Sequence, residues 1–184
     1  AHALAALGVQ QGQTVVTMLD NNVDAVLCWF AINKLCAVSV PINTALNGEF
    51  LRHQIADAGA ALVVCEASYV ERIAAVSDGL PDVKLVLTRG EPSDGCCGSL
   101  PLASLNEHRG HDDSAFERKP NPWELACLIY TSGTTGPSKA CMISYNYMCN
   151  LARLQLRAGP ANEHDVTITP LPLFHMNAMC VGVL

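Results

Sequence analysis

The sequence lacks the features expected of a membrane-spanning, secreted or nucleic-acid-binding protein. No apolar run approaches the roughly 20 residues of a membrane span, and the longest, 25–32, fits a buried helix. No basic segment precedes a small-residue cleavage site, so no signal peptide is expected. A net charge of −6 argues against a nucleic-acid partner. With 50% hydrophobic and 15% charged residues, the chain is typical of a globular protein with a sizeable core.

The nine cysteines form no recognisable disulfide or zinc pattern. They are odd in number, include no CxxC pair and have no histidine at zinc-ligand spacing, so no metal site is predicted. Cys96–Cys97 lies among Gly, Ser and Asp; we interpret it as exposed and without a role rather than as a redox or metal pair. The others mostly lie in apolar segments, as expected of reduced, buried thiols in a cytoplasmic protein: Cys28, Cys36, Cys65, Cys127 and Cys180.

Short apolar runs alternate with helix-like segments over the first ninety residues. Such near-continuous runs are typical of strands that are buried on both faces. Helix starts are predicted after Asp20–Asn22, after Asn47, and at Ser68, where Glu71 would complete a capping box. The pattern predicts an α/β fold with a mainly parallel sheet flanked by helices. The strand candidates are Thr14–Leu19, Ala37–Ile42, Ala61–Cys65 and Val83–Leu87.

The second half of the chain is less regular. Glycine and proline between about 88 and 122 predict a long surface loop. Strands are then expected at Leu125–Thr131, near Ala140–Ile143 and at Val166–Thr169, and a helix at Ser144–Arg157. Both ends look cut, because residues 1–7 start in a helix-like pattern and residues 178–184 are apolar without a stop signal. We therefore expect the chain to be one segment of a longer protein.

One stretch, YTSGTTGPSK (Tyr130–Lys139), predicts an anion site. Glycines allow several backbone N–H groups to converge on one anion, hydroxyls add donors without charge, and Lys139 adds a positive charge. The segment from Arg118 to Arg157 contains five basic residues and one acidic residue, a net charge of +4, so the rest of the chain carries a net charge of −10. The alternative is a flexible surface turn without a ligand. Six consecutive hydroxyl or glycine residues after an apolar strand instead favour a site for a polyphosphate, and ATP is the simplest candidate.

A Walker A loop is excluded by spacing. Lys139 comes three residues after Gly136 rather than directly after a glycine. No Ser or Thr follows the lysine to hold magnesium, and a strand rather than a long helix is expected next. The loop is therefore a different kind of phosphate site.

The loop and its flanks resemble the AMP-forming adenylating enzymes, which include acyl-CoA synthetases, luciferase and the adenylation domains of peptide synthetases. YTSGTTGPSKACMISY is similar to their signature loop, and AVSVPINTALNGEFLRHQIADAGAALVV and PLPLFHMNAM are similar to two other segments. The resemblance spans nearly the whole chain and is nearest to acyl-CoA ligases, including the carnitine/crotonobetaine type. The sequence departs from the family at three places: Ala140 stands where glycine is usual, Tyr145 stands where histidine is common, and Pro137–Ser138 reorders the usual x-Pro, which is a frequent variant.

The resemblance implies a two-step ligase with ATP, Mg²⁺ and coenzyme A as co-substrates and a small carboxylic acid as substrate. The carboxylate would attack the α-phosphate to give acyl-adenylate and pyrophosphate, and a thiol would then displace AMP. Lys139 and His175 would act catalytically, His175 near the acyl-adenylate. The residues that would hold the phosphates, beside Lys139, are Thr131, Ser132, Gly133, Thr134, Thr135 and Gly136.

Other parts that the family needs are not found. The sequence has no Tyr-Gly-x-Thr-Glu stretch for adenine and magnesium, no later ribose-binding aspartate and no C-terminal lysine. Residues 1–184 are thus expected to form part of the N-terminal domain, without the smaller C-terminal domain, and to be inactive alone. The alternative is a stand-alone nucleotide-binding or interaction module. The sequence does not identify the carboxylic acid substrate or the oligomeric state. Trp29, Trp123 and the methionines, including Met142, are interpreted mainly as packing residues.

Overall fold

The computed structural model describes residues 1–91, 95–110, 112, 114–131, 136–159, 162, 164–166 and 168–184. The strands are β1 (Thr14–Met18), β2 (Val38–Pro41), β3 (Ala60–Glu66), β4 (Leu85–Arg89), β5 (Cys96–Cys97), β6 (Leu100–Ser104), β7 (Leu125–Thr131) and β8 (Lys139–Ser144). The helices are α1 (His2–Ala6), α2 (Val23–Lys34), α3 (Gly48–Asp57), α4 (Val70–Ala74), α5 (Tyr145–Ala158) and α6 (Met176–Gly182).

The strands of the described residues form one sheet in the order β5-β6-β4-β3-β1-β2-β7-β8. Every pairing from β6 across to β7 is parallel, whereas the two outer pairs, β5–β6 and β7–β8, are antiparallel. The predicted α/β class with a mainly parallel sheet is confirmed. Because parallel strands present their carboxyl ends at the same edge, the loops after β1, β2 and β7 lie on one side of the sheet.

Helices cover both faces of the sheet, as the continuous apolar strands require. Val15 and Val16 are both fully buried although their side chains point to opposite faces. Val16 packs in a cluster that includes Leu51 and Ile55 of α3 and Ile73 of α4. Val15 packs in the cluster on the other face, with residues of the first two helices, Leu4, Cys28 and Ile32.

A third cluster joins the β7 end of the sheet to the last two helices. Trp29 of α2 is 3% exposed and lies in one cluster with Cys127 of β7, Met148 of α5, and Met179 of α6. This cluster seats α6, and with it the preceding segment, beside β7.

Three of the four predicted helix starts are confirmed, and one is wrong. α3 begins directly after Asn47, although the Asn47 side chain makes no capping hydrogen bond. The Asn22 side chain accepts a hydrogen bond from the Ala25 N–H, and Ser144 accepts one from the Tyr147 N–H at the start of α5. The capping box at Ser68 is wrong. β3 runs on to Glu66 and leads into a 3-10 turn, Ala67–Tyr69, so α4 begins only at Val70 and has no side-chain cap.

The described residues of the segment 88–122 contain regular structure that its glycines and prolines do not indicate. It contains the end of β4, the hairpin of β5 and β6, and a 3-10 turn at Leu105–His108. Gly98 makes the hairpin turn with φ of +62°, and a Cβ there would approach the Ala74 carbonyl oxygen to 2.7 Å. The hairpin also buries Cys97, so the expectation of an exposed Cys96–Cys97 pair is wrong for Cys97.

Three further expectations fail in the described residues. Residues 166, 168 and 169 lie outside any strand, and Val166 and Ile168 are 89% exposed. Trp123 and Met142, expected to pack, are each 76% exposed. The pattern of apolar residues in the sequence did not predict these exposures, because it does not show which apolar side chains are covered by another part of the fold.

Among the described residues, no helix is both long and apolar enough to cross a membrane.

Candidate functional site

A cavity of about 320 Å³ lies at the carboxyl ends of β2 and β7. This is the edge at which parallel α/β sheets usually bind ligands. β2 and the following turn contribute residues 41–43 to its wall, and α3 contributes Phe50 and Gln54. The β7–β8 hairpin contributes Tyr130, Thr131, Gly136 and Ser138, and the segment before α6 contributes Phe174 and His175.

The structure brings three of the predicted site residues to this cavity. Thr131, Gly136 and His175 line it, although they come from segments up to 44 positions apart. The other predicted phosphate-binding residues of the loop lie outside the described residues: Ser132, Gly133, Thr134 and Thr135.

Lys139 lies beside the cavity but is not part of its described wall. It is the first residue of β8 and pairs with Thr131 across the hairpin, where the Thr131 hydroxyl donates to the Lys139 carbonyl oxygen at 3.4 Å. Its side chain is exposed, and no acid in the described part of the chain forms an ion pair with it. Its charge is therefore available to an anion.

His175 is the N-cap residue of α6. Its ring lies against the Phe174 ring, with centroids 4.5 Å apart and planes tilted by 48°. The His175 N–H donates to the Pro172 carbonyl oxygen at 3.0 Å, which closes the turn that places the ring at the cavity.

The segment that carries His175 is held by Asn21, a residue that sequence reasoning treated only as part of a helix cap. The Asn21 amide nitrogen donates to the Leu171 carbonyl oxygen at 3.1 Å, and its amide oxygen accepts from the Leu173 N–H at 2.8 Å. Asn21 thus pairs with this backbone as a neighbouring strand would. No local signal predicts a contact that spans 150 residues.

Ion pairs fix the loop that presents Asn21. Arg89 of β4 donates to Asp24 at 2.7 Å and to Glu66 at 3.2 Å, and Arg109 donates to Asp24 at 2.6 Å. Burial alone would raise the pKa of Asp24, but the hydrogen bonds from the two arginines outweigh this and lower it. The other Glu66 oxygen accepts from the Asp20 N–H and the Asn22 side chain, on either side of Asn21.

Tyr145, which stands where the resembled family commonly has histidine, packs against the third cluster. Its hydroxyl donates to the Asn33 carbonyl oxygen at the end of α2 at 3.0 Å. Burial raises its pKa, so the phenol remains a hydrogen-bond donor over the ordinary pH range. The contact ties the start of α5 to α2.

The described residues do not form a magnesium site. No aspartate or glutamate in the described part of the chain lines the cavity, and no cluster of three or more potential metal ligands occurs there. Because Mg²⁺ prefers carboxylate and other oxygen ligands, we assign no reaction step to a metal. What the cavity offers is hydroxyl, amide and backbone groups beside one lysine, which suits an anion.

Comparison with known proteins shows the family to which the chain belongs. A family model described as AMP-binding enzyme matches residues 1–184. The chain is 26% identical over 208 residues to a long-chain-fatty-acid–CoA ligase of Escherichia coli O157:H7, with 100% of this chain and 37% of that protein covered. It is 24% identical over 188 residues to a crotonobetaine/carnitine–CoA ligase of Salmonella paratyphi A, with 100% and 36% covered.

A solved structure of a long-chain-fatty-acid–CoA ligase from Archaeoglobus fulgidus matches with a TM-score of 0.79 and 28% identity. The match covers 98% of this chain and 36% of that one. The chain therefore spans little more than a third of the length of these relatives.

Proposed function

Since the chain belongs to the AMP-binding enzyme family, we propose that it is the N-terminal part of an acid–thiol ligase that activates a carboxylic acid with ATP. The observation that carries the proposal is the cavity in which Thr131, Gly136 and His175 meet, beside the free charge of Lys139 and without a carboxylate in its described wall. The relatives include CoA ligases named for long-chain fatty acids, 4-coumarate and crotonobetaine/carnitine, and the identity of the acid is left to experiment.

In the first step, a carboxylate oxygen of the substrate forms a bond to the α-phosphorus of ATP. The bond from that phosphorus to the bridging oxygen breaks, and pyrophosphate leaves. A carboxylate is already a nucleophile, so the step needs no general base; it needs positioning and stabilisation of phosphate charge. The hydroxyl of Thr131, once released from its 3.4 Å contact with the Lys139 carbonyl oxygen, and the backbone at Gly136 would hold the β- and γ-phosphates, and Lys139 would lie beside them.

In the second step, the thiol of coenzyme A attacks the acyl carbon and AMP leaves with the oxygen that joined it to the acyl group. His175, which lines the cavity from the segment before α6, would contact the acyl-adenylate. None of the described lining residues is a cysteine or lysine. The acyl group would be carried on AMP rather than on the protein, as the resemblance to the AMP-forming enzymes implies.

The test is exchange of labelled pyrophosphate into ATP by the intact protein. Exchange that depends on an added carboxylic acid is expected, and Lys139→Ala should lower kcat/KM for ATP by about ten- to a hundredfold, as expected for a lost hydrogen bond to a charged group. Lys84→Ala is the matched control, because Lys84 is exposed and precedes β4 at the opposite edge of the sheet. ATP binding without exchange, across short, medium, long and carnitine-like acids, would identify a nucleotide-binding module instead.

A further inference from the structure

Helix α3 presents two separate faces, one to the core and one to the hairpin. Leu51 and Ile55, four positions apart, are fully buried against the sheet. Residues 50, 53, 54 and 57 recur at the spacing of a second helical face. Phe50 and Gln54 on this face line the cavity.

The first contact of this face is with the strand that enters the loop. The Tyr130 hydroxyl donates to an Asp57 carboxylate oxygen at 2.7 Å. Burial and this hydrogen bond raise the pKa of Tyr130, so it remains protonated and continues to donate. Tyr130 directly precedes Thr131, a predicted phosphate contact.

The second contact is with the strand that leaves the loop. His53 Nε2 lies 2.9 Å from the Ser138 carbonyl oxygen and must donate, since a carbonyl only accepts. Gln54 Nε2 lies 3.0 Å from the Ser138 hydroxyl. Ser138 directly precedes Lys139, which pairs with Thr131 across the hairpin. One helix therefore holds both ends of the loop.

The side-chain amide of Gln54 has one polar group without a hydrogen-bond partner among the described residues. Gln54 is 7% exposed, and its amide oxygen is buried without a hydrogen-bond partner among the described residues. If the amide is rotated by 180°, its oxygen accepts from the Ser138 hydroxyl and the NH₂ group is left without a partner. Either way, one end of the amide has no partner among the described residues, in a residue that lines the cavity, and buried polar groups are normally satisfied. In the rotated orientation this end is a donor that suits a phosphate oxygen.

We propose that His53, Gln54 and Asp57 of α3 are positioning residues that hold Thr131 and Lys139 in register for the nucleotide phosphates, and that the free end of Gln54 completes the phosphate contacts. The inference rests on the proposed function for the identity of the nucleotide. It assigns α3 a role in ATP affinity, in addition to its packing in the core.

The test compares variants of the intact protein by the Kd for ATP, measured by calorimetry, and by KM for ATP and for the acid in pyrophosphate exchange. His53→Ala, Asp57→Ala and Gln54→Leu should each raise the Kd and the KM for ATP about fivefold, the effect of one net hydrogen bond, while KM for the acid is unchanged. His53→Gln, which keeps an N–H donor, should restore the affinity. Glu49→Ala is the control, because Glu49 is exposed on the same helix, pairs with Arg52 and makes no hydrogen bond to the hairpin among the described residues.

Two further readouts separate positioning from simple stability. Gln54→Glu can still accept from Ser138 but places a negative charge at the cavity, so it should weaken ATP binding more than Gln54→Leu does. Tyr130→Phe and Asp57→Ala should be non-additive in Kd, because each removes the same hydrogen bond.

Unchanged ATP affinity in all three alanine or leucine variants would overturn the inference, and so would parallel losses in ATP affinity, acid KM and melting temperature. An intact protein that binds ATP but catalyses no exchange would refute the ligase activity alone, since the Kd values still test the role of α3. An intact protein that binds no ATP would refute both.

Discussion

Asn21→Ala should reduce catalysis by loosening the segment that carries His175. The substitution removes two hydrogen bonds, one to the Leu171 carbonyl oxygen and one from the Leu173 N–H. Both contacts are exposed, so water can replace them and each is worth about 0.5 kcal/mol, the low end of the usual range. The total of about 1 kcal/mol corresponds to a roughly fivefold loss of the correctly placed segment. The packing of Leu173 and Met179 in the third cluster limits the loss.

The assay is acid-dependent pyrophosphate exchange by the intact protein, with kcat expected to fall about fivefold and KM for ATP to change less than twofold. Gln13→Ala is the matched control, because the Gln13 side chain accepts one exposed hydrogen bond, from the Gln10 N–H at 2.9 Å. Gln13 directly precedes β1, at the amino ends of the parallel strands and therefore at the edge opposite the cavity. An unchanged kcat, or an equal effect of Gln13→Ala, would refute the reasoning.

Two other predictions concern the packing around the site. Tyr145→Phe should destabilise the intact protein by only about 0.5–1.5 kcal/mol, because the Asn33 carbonyl oxygen keeps its hydrogen bond from the Cys36 N–H; a melting temperature lowered by more than about 10 °C would contradict this. Alkylation mapped by mass spectrometry at pH 8 should modify the exposed thiols and spare the buried ones, since burial raises the pKa of Cys28 and Cys180 to about 11 and that of Cys65 to about 12. Rapid native modification of any buried thiol would contradict the fold; the buried set is Cys28, Cys36, Cys65, Cys97, Cys127 and Cys180.

The sheet was predictable because its central strands are buried on both faces. Val15 and Val16 must both be apolar when helices cover both sides, so continuous apolar runs mark β1 to β4. The helix starts after Asn22 and at Ser144 were equally predictable, since the hydrogen bonds that cap them act within three residues. The hairpin of β5 and β6 was not predicted, because glycine, proline and other turn-forming residues outnumber the apolar residues that would mark such short strands.

The site was only partly predictable, because its contacts are distant in sequence. Thr131, Gly136 and His175 were found through their motifs, whereas Asn21 acts on a segment 150 positions away. His53 and Asp57 look like an ordinary solvated helix face until the hairpin is placed against them. Trp123 shows the converse: an aromatic residue predicts burial, yet no partner covers it among the described residues.

The central claim is that the carboxylate attacks the α-phosphate of ATP, and isotope transfer tests it most directly. The intact protein is supplied with ATP, coenzyme A and a carboxylic acid labelled with ¹⁸O in both carboxylate oxygens, and the AMP is analysed by mass spectrometry. The account predicts AMP that carries one ¹⁸O atom, formed together with pyrophosphate and the acyl thioester. Unlabelled AMP, or the formation of ADP and phosphate in place of AMP and pyrophosphate, would contradict it.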